Sequence, residues 1–245
     1  MTFVGGLARE VADASIAVSR RVRRDAFVAR VKAVAWKASA TVDIDVAPDL
    51  WVGKDVEVTV APGTHSVVRI GPKSRIEDRV LLALKGGQLL LADRVTIRRD
   101  NVLNVTGRLR LDGDNLLSWG TVVHCSNDVH LERMACTAEQ VTIADSSHYF
   151  SEPDVHFLHN TRTGTVHVGR NTWLCPKAIL VSGADVGSHC IVAAGSVVTG
   201  VVPDGHLASG VPASTRPLKL PWAAVSPAGA STPASDTQLP PASRS

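Results

Sequence analysis

Within VTIADSSHYF at 141–150, His148 follows Asp145 by three residues. A neutral imidazole titrates near physiological pH and can take a proton from a hydroxyl or amine acceptor. A carboxylate close by can orient such a ring. On spacing alone the pair reads equally well as a surface histidine and a solvated aspartate at a turn. The four cysteines, at 125, 136, 175 and 190, form no C-x-x-C pair, which suits neither a zinc site nor a secreted disulfide framework. They read as reduced thiols, and no metal is expected.

What positions His148 is a repeat. Aliphatic residues recur every six positions at Val168, Leu174, Leu180, Val186, Val192 and Val198. The position four after each of the first five is small: Thr172, Ala178, Ala184, Cys190 and Ser196. By ordinary residue usage such a run has a chance probability on the order of 10⁻⁶ per starting point. Period six fits neither a helix nor plain alternation. It fits a triangular coil of three hexads, with the aliphatic side chain inside and the small one at the crowded corner. The frame also appears at Ile70 and Ile76, at Leu91 and Ile97, at Leu111, Leu117 and Val123, and at Leu131, Thr137 and Ile143. Breaks between these runs predict insertions or irregular coils. From Ile143 to Val168 the frame overshoots four hexads by one residue, so part of 149–164 must leave the coil as a loop beginning just after His148.

The expected fold is therefore all-β, a left-handed parallel β-helix over 41–222. Only 4% of residues are aromatic, so the core must be built from short and β-branched side chains, which favours strands. Residues 1–40 form a separate segment. Apolar Ala12, Ile16, Ala17, Phe27, Val28, Val31 and Val34 alternate there with Arg20, Arg21, Arg23, Arg24, Arg30 and Lys32 at helical spacing. Such a basic amphipathic helix either caps the open end of the coil or touches anionic membrane peripherally. Residues 223–245 are rich in Pro, Ala and Ser and are expected to be a flexible tail.

The net charge of +3 is too small to argue for nucleic acid. Arg9, Glu10 and Asp13 interrupt the first apolar stretch, so no signal peptide is expected. The most apolar later stretch, 191–202, is too short to span a bilayer. A cytoplasmic protein, at most membrane-peripheral, is expected.

The segment at 166–213, VHVGRNTWLCPKAILVSGADVGSHCIVAAGSVVTGVVPDGHLASGVPA, resembles the hexapeptide-repeat acyltransferases. The likeness is to their galactoside, maltose, capsule and xenobiotic O-acetyltransferase branch. It rests on TWLC at 172–175, AAGSVVTGVVP at 193–203 and GVPA at 210–213, and extends over roughly 110–219. It implies an acetyl or similar acyl transfer from coenzyme A to a hydroxyl of a saccharide, glycolipid or small molecule, with His148 as general base and Asp145 beside it. It further implies a homotrimer with the coenzyme in the groove between subunits, lined by Trp173, Ala194, Ser196 and Thr199. This chain departs from the pattern at Gly200 and Ser214, where relatives carry basic residues. Arg216 and Lys219 then stand in near the phosphates, with Ser214 at the turn. The Asn that marks the galactoside and maltose enzymes aligns with Ser118, which argues against those acceptors.

Two other classes share such a fold. A carbonic anhydrase would need zinc ligands five residues apart, and that step from His148 lands on Pro153. A β-helix can also serve as a scaffold without catalysis, since fold alone never proves activity.

Overall fold

The computed structural model describes residues 3–219, with side chains from residue 18 onward. The expected flexible tail lies outside the described residues, as do the side chains of Ala12, Ile16 and Ala17. The body is the all-β, left-handed parallel β-helix anticipated from the hexads. Three parallel sheets form the walls of a prism. The first face runs in eight strands from Thr41–Val46 to Val201–Val202. The second runs from Trp51–Val52 to His206–Gly210 and ends in an antiparallel strand, Ala213–Pro217. The third runs in seven strands from Glu57–Val60 to Val197–Val198.

Val168, Leu174, Leu180, Val186, Val192 and Val198 all point inward, none more than 2% exposed. The small corner residues Thr172, Ala178, Ala184, Cys190 and Ser196 are buried as well. Each buried Leu, Ile or Val contributes about 1.5–3 kcal/mol by leaving water, so the column is held by one continuous apolar stack.

The breaks in the hexad frame have a single location. Successive core residues from the first face to the second stand six apart, as in Ile70 to Ile76, Leu91 to Ile97 and Leu111 to Leu117. From the second face to the third the step is again six, as in Ile97 to Leu103 and Leu117 to Val123. Only the turn from third face to first varies. It spans eight residues from Leu103 to Leu111 and from Val123 to Leu131, and six from Leu180 to Val186. It spans four from Val198 to Val202, and the long interval from Ile143 to Val168 falls there too. At Gly107 in this turn the backbones pack without room for a side chain: a Cβ there would lie 2.2 Å from the carbonyl oxygen of Asn127.

The helix Phe3–Lys37 covers the N-terminal end. Phe27, Val31 and Ala35, four residues apart on one stripe, are buried against the first coil. Arg30 donates to the carbonyl of Val56 at 2.7 Å. Capping is thus one role of this helix, while Val18, Val22, Arg20 and Arg21 remain exposed. Among the described residues no helix is long and apolar enough to cross a membrane.

Candidate active site

At the variable turn the chain leaves the prism altogether. Residues Ser146–His148 and Thr161–Thr163 pair antiparallel, and the arm between them carries a short 3-10 turn at Phe157–His159. The excursion thus begins before His148, which closes the outgoing strand opposite Thr161. Its side chain is exposed, with Nδ1 3.2 Å from the carbonyl oxygen of Asn160 and 3.4 Å from Thr161 Oγ1. A carbonyl can only accept, so Nδ1 carries the proton and Nε2 keeps its lone pair. Phe157 stands edge-on to the imidazole at 5.8 Å, and Phe150 lies 5.7 Å from Phe157. The arm around the imidazole is aromatic and open: Phe150 is 79% exposed.

Asp145 does not orient His148, contrary to the sequence expectation. The carboxylate is fully buried, and its oxygens accept from the N–H groups of Ser126 and Asn127, each at 2.7 Å. In the coil above, the corresponding amides of Thr106 and Gly107 donate to the carbonyl of Cys125. Where the chain turns outward no carbonyl is left to receive the next pair of amides, and the Asp145 carboxylate takes them. Its own carbonyl accepts from Gly164, which ties the returning strand to the outgoing one. Asp145 is the anchor of the arm. The ring is positioned by Asn160, which sequence reasoning missed because a loop residue acting through its carbonyl leaves no periodic or side-chain signal.

The residues expected to line a coenzyme groove fall on two edges of the prism. Trp173 projects from the second face, 51% exposed, in register between Cys136 and Ile191. Ala194 is exposed at the turn from second face to third, beside Gly195, whose φ is +68° and around which a Cβ would meet nothing within 4 Å. Ser214 and Arg216 lie exposed on the antiparallel strand that ends the second face. Thr199, by contrast, is exposed on the third-to-first turn, two coils beyond the arm that bears His148. Ser196 lines no groove through its side chain: it is buried in the corner stack, and its Oγ accepts from the Gly210 N–H at 3.1 Å. The third face separates His148 and Thr199 from the other exposed residues, so one copy does not bring the base and the groove together.

The four cysteines are free. Burial pushes the Cys125 thiol up to about 12, with the Asp145 charge adding to it, and burial also raises Cys136, Cys175 and Cys190. All four stay protonated at neutral pH, which leaves none as a thiolate nucleophile. Among the described residues no set of three or more His, Cys, Asp or Glu gathers as metal ligands.

Residues 165–200 match the family model described as bacterial transferase hexapeptide, six repeats. Over 176 residues the chain is 26% identical to a probable acetyltransferase of Mycobacterium tuberculosis, covering 71% of this chain and 52% of that protein. It is 28% identical over 89 residues to the galactoside O-acetyltransferase of Lactococcus lactis, covering 36% of this chain and 42% of that one. The chain thus spans about half the length of the curated relatives it matches. A maltose O-acetyltransferase structure from Clostridium difficile superposes with a TM-score of 0.47 at 16% identity, covering 51% of this chain and 66% of that one. The family-model match and the two acetyltransferase relatives bear out the resemblance read from the motifs in 166–213.

Proposed function

We propose that this protein transfers an acyl group, in the first instance acetyl, from coenzyme A to a hydroxyl of a saccharide, glycolipid or small molecule. The single observation that carries the reading is the contact of His148 Nδ1 with the Asn160 carbonyl at 3.2 Å. With Nδ1 held by the Asn160 carbonyl, Nε2 is the ring nitrogen left to take the acceptor proton. In the step this allows, Nε2 takes the acceptor proton while the acceptor oxygen bonds to the thioester carbonyl carbon. The C–S bond then breaks and the thiolate leaves, recovering a proton from the imidazolium. Oxyanion stabilisation falls to backbone N–H groups at the coil corners.

The surface suits an extended coenzyme. From Trp173 the second face runs past Ile191 and Leu207 to Arg216. A flat indole stands at one end and a cation at the other, with open backbone at Ala194 and Gly195 on its edge. Coenzyme A, when bound there, would supply the activated acyl thioester. Because base and groove lie on different edges, the complete site is proposed to form between copies in a cyclic homotrimer. Thr199 and His148 then come from one copy, and Trp173, Ala194 and Arg216 from the next.

Exposed Arg20 and Arg21 beside Val18 and Val22 support peripheral contact of the helix with anionic membrane. The free thiols suit a reducing compartment, the cytoplasm. The test is direct: retention on immobilised coenzyme A, followed by thiol release from acetyl-CoA across a panel of acceptors. Absence of retention removes the reading.

A further inference from the structure

A second constellation lies nearer the N-terminal end, on the second face and the turn that follows it. Trp51, Glu77, Asp78, Arg98, Arg99 and Trp119 line an open cleft of about 310 Å³. The Arg75 guanidinium lies 4.8 Å from the Trp51 ring centroid. Those of Arg98 and Arg99 lie 4.8 Å and 5.2 Å from Trp119. Trp119 is 40% exposed despite its size.

The charges here differ from those of the arginines that pair across coils. Arg79, Arg94, Arg108 and Arg133 each pair with an aspartate of a neighbouring coil. Arg75, Arg98 and Arg99 enter no ion pair among the described residues. The two carboxylates of the cleft serve backbone: Asp78 accepts from the Lys54 N–H at 2.7 Å and Glu77 from the Arg99 N–H at 3.3 Å. What remains for a ligand is the Arg98 and Arg99 guanidiniums beside Trp119, with Arg75 stacked on Trp51 next to the cleft. A guanidinium is planar and weakly hydrated, and it offers paired N–H donors that match a carboxylate or phosphate. An indole presents a flat apolar face with a polar edge. Together they fit a ring that is apolar on one face and anionic at its rim, and the cleft has the volume of a small-ligand site.

Placement supplies the second argument. Trp119 belongs to the coil immediately before the one that releases His148, a step of about 4.8 Å along the axis. On the same edge, Ala194 lies three coils further on, roughly 14 Å away by that spacing. The cleft and the proposed coenzyme path therefore occupy opposite ends of one edge, with the level of His148 between them.

We propose that the cleft between Trp51 and Trp119 is the acceptor subsite and takes an anionic sugar, one bearing a carboxylate or a phosphate. The subsite rests on the acyl-transfer reading for its role, though not for its ligand.

The full chain is titrated by isothermal titration calorimetry with glucuronate, glucose 6-phosphate, glucose and inorganic phosphate. In parallel, its retention on immobilised coenzyme A is measured. One of the two anionic sugars is expected to bind at least tenfold tighter than glucose, and which one does so identifies the anion. Trp119→Ala and the double substitution Arg98→Ala/Arg99→Ala are each expected to weaken that binding at least tenfold, with coenzyme retention and melting temperature unchanged. Four results overturn the subsite: no binding of either anionic sugar, equal binding of glucose, equal binding of inorganic phosphate alone, or undiminished sugar binding by both variants. If the variants lose the sugar but the wild type never retains the coenzyme, the sugar site stands and the transfer reading falls. If the coenzyme is retained and sugar binding ignores Trp119 and the arginines, the subsite alone falls.

Discussion

The Nδ1 atom of His148 lies 3.2 Å from the carbonyl oxygen of Asn160, on the opposite limb of the same hairpin. A backbone acceptor fixes the ring tautomer without placing a charge beside it. His148→Ala is expected to lower acyl transfer by about 10²–10⁴-fold, the usual worth of a general base, and to leave coenzyme binding intact. His189→Ala, at a different turn beside Asn171, is the control and should retain the wild-type rate. Thiol release under single-turnover conditions checks both. A wild-type rate in His148→Ala would move the base to His156, His159 or His167.

Asp145→Asn separates an anchor from a partner of the base. An amide offers one oxygen, not two, and turns an NH₂ toward a backbone N–H that needs an acceptor. The expected cost is about 1–3 kcal/mol for a buried donor left unmade, read as a lower urea midpoint. Below its unfolding temperature the variant should transfer within a few-fold of wild type. A rate loss like that of His148→Ala with an unchanged midpoint would reinstate Asp145 beside the imidazole.

Gly107→Ala probes the crowded turn. Its methyl would sit 2.2 Å from the Asn127 carbonyl oxygen, so a coil must shift. Overpacking of this kind costs about 1–3 kcal/mol. Thermal unfolding at the wild-type temperature would contradict the tight stacking at that corner.

Acid should loosen the column through Asp114. Its hydrogen bond from Arg94, joined by one from Arg133, holds the carboxyl down at about 2, against an ordinary value of 3.8. A carboxylate whose folded value is depressed stabilises the fold above its unfolded value, and that stability is lost as pH falls through the folded one. The contribution is therefore lost progressively between about pH 5 and pH 1. In Asp114→Asn the urea midpoint should vary less over this window than in wild type. Parallel curves would show that the ion cluster contributes nothing.

The site between copies predicts complementation. Light scattering should report a trimer at micromolar concentration. If His148→Ala and Trp173→Ala chains are refolded together in equal amounts, about one interface in four combines an intact base with an intact groove under random cyclic assembly. Activity near a quarter of wild type is expected from two variants that are each deficient alone. No recovery, or only monomer, would place base and groove within one chain.

How much of this was legible in the sequence depends on which turn is considered. Two of the three turns advance by six residues without exception, so Leu111, Leu117 and Val123 could be placed inside the prism from spacing alone. The third turn absorbs insertions because it needs only to bring the chain back, and its length of eight, then four, breaks any fixed frame. His148 could be placed at that turn because the frame fails there. The role of Asp145 was not legible: its partners, the Ser126 and Asn127 amides, lie a coil away and have no side-chain signature. Ser196 misled for a related reason, since a small residue at a corner is needed for stacking whether or not a ligand passes. Trp51 and Trp119 are 68 positions apart in the chain, and only the stacking of coils makes them two walls of one cleft.

The two ends of the column are closed by different devices, a packed helix at the first coil and an antiparallel return strand at the last. A parallel stack carries at each end a row of unspent donors and acceptors, so every coil is a template for the next. Growth from either end would make a fibre, and both devices deny it a starting edge. The interior places no such limit on length, because each coil answers only to its neighbours. Whole coils of eighteen residues could be duplicated or excised between Val168 and Val186 with both terminators untouched. Such a change would slide the arm and the cleft relative to the proposed coenzyme path in steps of one strand spacing. The distance between donor and acceptor is in that sense a countable property of the gene.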